Sequence, residues 1–95
     1  MGRIEYDEIE IGSVVSFVRQ LQAEDVKIFS VMTGDKNPLH IDEDFGRKSI
    51  FGGNIVHGML LAGFFSAIVG QCFSENVVYL SQTLEFRRPA FVGDE

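Results

Sequence analysis

The chain has 95 residues, 45% of them apolar, and a formal net charge of −6. That size suits one small domain with a modest core, and the apolar share excludes a solvated, disordered tail. The charge excludes a general nucleic-acid binder, which needs clustered Lys and Arg to displace counterions from phosphate.

The amino-terminal MGRIEYDEIEIG is acidic and has no apolar h-region, and Tyr6 stands where a myristoylation motif would want Ser or Thr. No targeting signal is expected. SVVSFVRQL, residues 13–21, is rich in β-branched residues and reads as a strand. Ala23-Glu24-Asp25 places acidic residues at the start of a helix, with Val26, Phe29, Val31 and Met32 on its apolar side until Gly34 stops it. A loop follows, and Phe45 to Asn54 reads as mostly irregular because Gly46, Gly52 and Gly53 break any period.

From Ser49 to Ser74 there is no charged residue, a length that suggests a membrane span. Asn54, His57, Gln71 and five glycines, with no basic flank or aromatic belt, argue instead for a soluble protein with a buried core helix from about His57 to Phe73. The lone cysteine, Cys72, cannot make an internal disulfide and sits where a thiol behaves as a small hydrophobe, which fits a reducing cytoplasm. In residues 76–91, Val78, Leu80, Leu84 and Phe86 fall at even positions, the period of a half-buried strand, and Pro89 limits its length. Two strands cannot bury a helix that is apolar all round. More strands after Glu95, or a partner chain, are therefore expected.

The chemistry concentrates in TGDKNPLHIDEDF, residues 33–45. Asp35 and His40 form a possible acid and base pair, held on a stiff turn because Pro38 fixes its own φ and pushes Asn37 to an extended conformation. The same residues also make a helix stop and a plain turn with local side-chain bonds to the backbone. A metal site from Asp35, His40 and Asp42 is a third reading, although the spacing matches no calcium loop. In GGNIVHGML, residues 52–60, Gly58 near a helix start offers a backbone N–H where the helix carries partial positive charge, suited to an enolate-like oxygen. Alternatively, His57 caps the helix and Gly58 permits close packing. An acid-base pair with such a donor is equipment for proton chemistry beside a thioester carbonyl. The basic pairs Arg47-Lys48 and Arg87-Arg88 read as solvated surface or as contacts for phosphates of a small anionic ligand.

With FSVMTGDKNPLHID from Phe29, IVHGMLLAGFF from Ile55 and LSQTLEFRRPAFVGDE from Leu80, the chain resembles the MaoC-like, (R)-specific enoyl-CoA hydratases from about Gly12 to Glu95. The resemblance implies an α+β hot-dog fold, an antiparallel sheet wrapped around a long apolar central helix, incomplete at its carboxyl end. It also implies a cytoplasmic homodimer, acyl-CoA or acyl-ACP thioesters as substrates, and no cofactor or metal. Asp35, His40 and the Gly58 N–H are implied as catalytic, sharing the protons of one water in a syn addition across a trans-2-enoyl thioester. Asn37, His57 and Gly63 are placed at the substrate, with Asn37 mainly shaping the loop. Many relatives carry Ser where this chain has Gly63. A non-catalytic hot-dog remnant that binds acyl thioesters or a partner subunit is the rival reading, and a thioesterase a more distant one.

Overall fold

The computed structural model describes residues 4–73 and 76–95. The first three residues of the amino-terminal segment, and Ser74 at the end of the uncharged stretch, lie outside the described residues. Among the described residues a 3-10 turn at Tyr6–Glu8 precedes four α-helices: α1 Ala23–Thr33, α2 Pro38–Ile41, α3 Glu43–Lys48 and α4 Gly58–Cys72.

Local chemistry accounts for the ends of the first three helices. At the start of α1 the Asp25 carboxylate accepts from the Gln22 backbone N–H at 3.0 Å, satisfying one donor that helix geometry leaves orphaned. Gly34 ends α1 at φ +82°, donating its N–H to the Ser30 carbonyl at 2.9 Å. A side chain at that φ would be strained, so glycine is the natural stop. Asn37 then caps α2, its Oδ1 accepting from the Leu39 N–H at 3.0 Å, with Pro38 in the first helical turn, where a missing N–H costs nothing. Asp42 closes α2 and caps α3 through the Phe45 N–H at 3.1 Å. The irregular stretch expected from Phe45 is therefore helical as far as Lys48. Glu43 and Asp44 at the start of α3, and Arg47 and Lys48 at its end, favour that turn through the helix dipole despite Gly46.

The strands expected over 13–21 and 76–91 are not formed as ladders. Among the described residues β-pairing is limited to isolated bridges, Ile4 to Phe73 in parallel and Ile55 to Phe91 in antiparallel sense. Alternation encodes which face of a strand is apolar, but a ladder also needs a partner chain segment. None lies alongside, and Val14, Val18, Val78 and Leu80 remain exposed. Three backbone bonds tie the flanks of these segments down: Leu21 N–H to Asp94 O at 2.8 Å, Gly93 N–H to Leu21 O at 2.7 Å and Val56 N–H to Ala90 O at 2.7 Å.

The expected all-round burial of the apolar helix is likewise not met. Helix α4 buries Ala62 and Cys72, while Met59 and Phe65 are more than half exposed, because no segment among the described residues covers that face. The core is a small cluster of Leu21, Val26 and Val56, packed against Leu60, Leu61, Phe64 and Ala90. The radius of gyration is 16.0 Å, against about 12 Å for a compact domain of this length. The molecule is thus elongated, with its best-packed end where Leu21, α1 and the start of α4 meet. Among the described residues no helix is long and apolar enough to cross a membrane.

Candidate active site

That well-packed end carries the ionisable residues. Thr33 prepares the approach: its hydroxyl donates to the Phe29 carbonyl at 2.7 Å and accepts from the Asp35 N–H at 3.2 Å. Asp35 follows with its carboxylate exposed, and α2 then turns the chain so that His40 points back toward it. The His40 Nδ1 lies 2.7 Å from the Ile55 carbonyl. A carbonyl oxygen can only accept, so Nδ1 carries the hydrogen and Nε2 is left as the nitrogen that exchanges protons.

Asn54 holds this turn from outside. Its amide nitrogen donates to the carbonyls of Leu39 at 3.0 Å and Asp42 at 2.8 Å, adding to the backbone bonds that these oxygens accept from Ile55 and Gly46. The fit is close: a Cβ on Gly46 would lie 2.5 Å from Asn54 Nδ2 and 2.8 Å from the Asn54 backbone nitrogen.

The start of α4 completes the cluster. His57 occupies its N-cap position but makes no capping bond with its side chain, which overturns that reading of the residue. Its ring is buried at 2% exposure, and Nε2 lies 3.0 Å from the Asp35 carbonyl and 3.2 Å from Ser30 Oγ. The ring stacks on His40 with centroids 3.8 Å apart and planes inclined by 27°. Gly58, the first residue of α4, has no carbonyl one turn earlier for its N–H to bond. A Cβ there would come within 2.8 Å of the Phe86 ring, so glycine does permit close packing at this point.

Asp35, His40 and His57 each bring a donor atom within 4.8 Å of the others, a span that one water can bridge at ordinary hydrogen-bond lengths. These three atoms are also the set that could hold a metal ion, in place of the grouping with Asp42, which is committed to capping α3. They line a cavity of about 400 Å³ together with Gly58, Phe86 and Arg88, within the size range of small-ligand sites. Arg87 also reaches it, and the Glu85 carboxylate at 2.9 Å raises the Arg87 guanidinium above its ordinary pKa. Arg47 instead pairs with Asp44 in α3.

The family model described as MaoC like domain matches residues 8–95. The chain belongs to the MaoC-like domain family. This MaoC-like domain is 41% identical over 88 residues to the (R)-specific enoyl-CoA hydratase of Aeromonas caviae, an alignment covering 92% of the chain and 66% of that relative. It is 38% identical over 90 residues to the 3-hydroxybutyryl-CoA dehydratase of Methylorubrum extorquens, covering 94% of the chain and 57% of the relative. Among solved structures, the unliganded R-hydratase PhaJ1 from Pseudomonas aeruginosa superposes with a TM-score of 0.90 at 33% identity, covering 96% of this chain and 59% of that one. The fold class is therefore that of these hot-dog hydratases. The chain spans between 52% and 66% of the length of the first curated relatives it matches.

Within this MaoC-like domain the sequence-predicted residues divide into two groups. Asp35, His40, His57 and Gly58 meet at one cavity. Asn37 stands outside it and is spent on capping α2. Gly63 is exposed, and a Cβ on it would meet nothing within 4 Å, so the position faces open space and is not among the residues that line the cavity. Ser30 and Asn54 were missed by sequence reasoning: each lies inside a quoted motif, but its bonding partner is far along the chain, and nothing local gave either residue a role.

Proposed function

We propose that this MaoC-like domain carries the proton-transfer centre for reversible hydration of trans-2-enoyl thioesters of coenzyme A or acyl carrier protein to (R)-3-hydroxyacyl thioesters. The observation that carries the proposal is the convergence of the Asp35 carboxylate and the His40 imidazole to within 4.8 Å, beside the uncommitted N–H at the head of α4.

A water held between the two groups attacks the β-carbon while Asp35 withdraws one of its protons. His40, doubly protonated, delivers its Nε2 proton to the α-carbon. Its Nδ1–H stays on the Ile55 carbonyl throughout, so every exchange occurs at Nε2. Transfer of the proton from Asp35 to Nε2 resets the pair. Negative charge developing on the thioester oxygen is received by the Gly58 N–H at the positive end of α4. Dehydration runs the same steps backwards, with acid and base roles exchanged. Arg87 and Arg88, lining the same cavity, are suited to phosphates of the carrier.

The finer architecture belongs to the same proposal: segments 13–21 and 76–91 form part of an antiparallel sheet around α4, in a homodimer located in the cytoplasm. The exposed apolar faces of both segments support the sheet and the dimer, and the lone buried Cys72 suits a reducing compartment. The second reading is a non-catalytic unit that binds acyl thioesters or a partner chain, for which the exposed apolar residues Met59 and Phe65 of α4 offer a surface.

Hydration of crotonyl-CoA, followed as loss of enoyl-thioester absorbance, separates the readings. Turnover is expected, falling by roughly 10²–10⁴-fold in His40→Ala and in Asp35→Asn. Binding without turnover would establish the second reading, and release of free coenzyme A would indicate a thioesterase.

A further inference from the structure

We propose that His57 is a positioning residue that holds Asp35, His40 and Gly58 in register, and not a group that touches substrate. The inference rests on the hydration reading above. A ring only 2% exposed has almost no surface to offer a ligand, which argues against the expected contact with substrate.

Three contacts define its role. Nε2 donates to the backbone carbonyl of Asp35 at 3.0 Å, because the carbonyl can only accept, and this fixes the backbone that carries the carboxylate. The hydroxyl of Ser30, itself buried at 2% exposure, lies 3.2 Å from the same nitrogen and serves as a second acceptor. One face of the ring lies against His40, and Phe29 packs on it with centroids 4.7 Å apart. One peptide bond later comes the Gly58 N–H.

With the hydrogen on Nε2, Nδ1 keeps a lone pair. That atom is buried without a hydrogen-bond partner. A hydrogen there would be a buried donor with no acceptor, so the neutral Nε2–H tautomer is the form that fits. Neutrality matters next door: His40 passes through a cation while exchanging protons, and a neutral aromatic face 3.8 Å away accommodates that cation where a second imidazolium would repel it.

Two substitutions separate the parts. His57→Phe keeps the stacked ring and loses the donor, whereas His57→Gln keeps a donor and loses the ring. In crotonyl-CoA hydration, His57→Phe is expected to lower kcat by roughly 10–100-fold with KM within about threefold, the scale of a small misplacement of reacting groups. His57→Gln should recover part of the loss. Nitrogen-15 NMR of the unmodified chain should show His57 as the Nε2–H tautomer and a hydrogen on Nδ1 of His40. A raised KM at unchanged kcat, full activity in His57→Phe, or an Nδ1–H tautomer for His57 would each overturn the proposal. If the unmodified chain fails to hydrate crotonyl-CoA, the hydration reading falls. The tautomer measurement still decides the placement of His57, as it does should His57→Phe fail to fold.

Discussion

The stretch from Gly34 to Asn54 and the stretch from Val77 to Phe86 make a useful contrast. In the first, polar side chains close nearly every turn: Asn37 on Leu39, Asp42 on Phe45, Ser49 Oγ on the Gly46 carbonyl, and Asn54 on Leu39 and Asp42. In the second, the apolar side chains Val78 and Leu80 are exposed at 74% and 91%. A polar side chain can reach a backbone group a few residues away and order the chain by itself. An apolar strand gains nothing until a distant surface covers it. The proposed proton-transfer pair sits in the first stretch, where local caps shape the turn that carries it.

The contrast is most severely tested at Gly46. A Cβ there would meet the Asn54 backbone nitrogen at 2.8 Å and the Gly53 carbonyl carbon at 2.9 Å. Gly46→Ala should therefore destabilise the chain by about 2–3 kcal/mol in urea unfolding, because backbone on both sides must shift. Asn54→Ala removes one donor from two helix-terminal carbonyls, and a loss of about 1–2 kcal/mol is expected. It should also lower hydration activity roughly tenfold as the His40 turn loosens. At the small end, Leu80→Lys should change the stability of the dilute chain by no more than about 0.5 kcal/mol, while sedimentation at higher concentration should show the proposed dimer weakened. A loss of stability for Leu80→Lys in the dilute chain equal to that of Asn54→Ala would erase the distinction between the two stretches.

Residues close in sequence were the legible part of the site. Asp35 and His40 are five positions apart across Asn37-Pro38, and dihedral restrictions of that dipeptide bring them round with few alternatives. The helix stop at Gly34 follows from the same local logic. Ser30 and Asn54 were not legible, since a serine inside a helix or an asparagine after paired glycines has many ordinary uses. What makes them matter is a partner 27 residues away for Ser30 and 12 and 15 residues away for Asn54. The two apolar segments mark the limit of that local logic: alternation sets which face is apolar, but pattern alone does not supply a ladder.

The sequence by itself determined where α1 begins and stops, the stiff corner between Asp35 and His40, and the glycine at the head of α4, because each depends on steric and capping preferences within a few residues. Only the tertiary structure decided that His57 is buried behind the pair, that Ile55 selects the His40 tautomer, that Asn54 clamps the turn and that Gly63 lies in open space. Those facts depend on segments far apart in the chain being packed together. Loop closure and burial govern such packing, and neither leaves a mark in local periodicity.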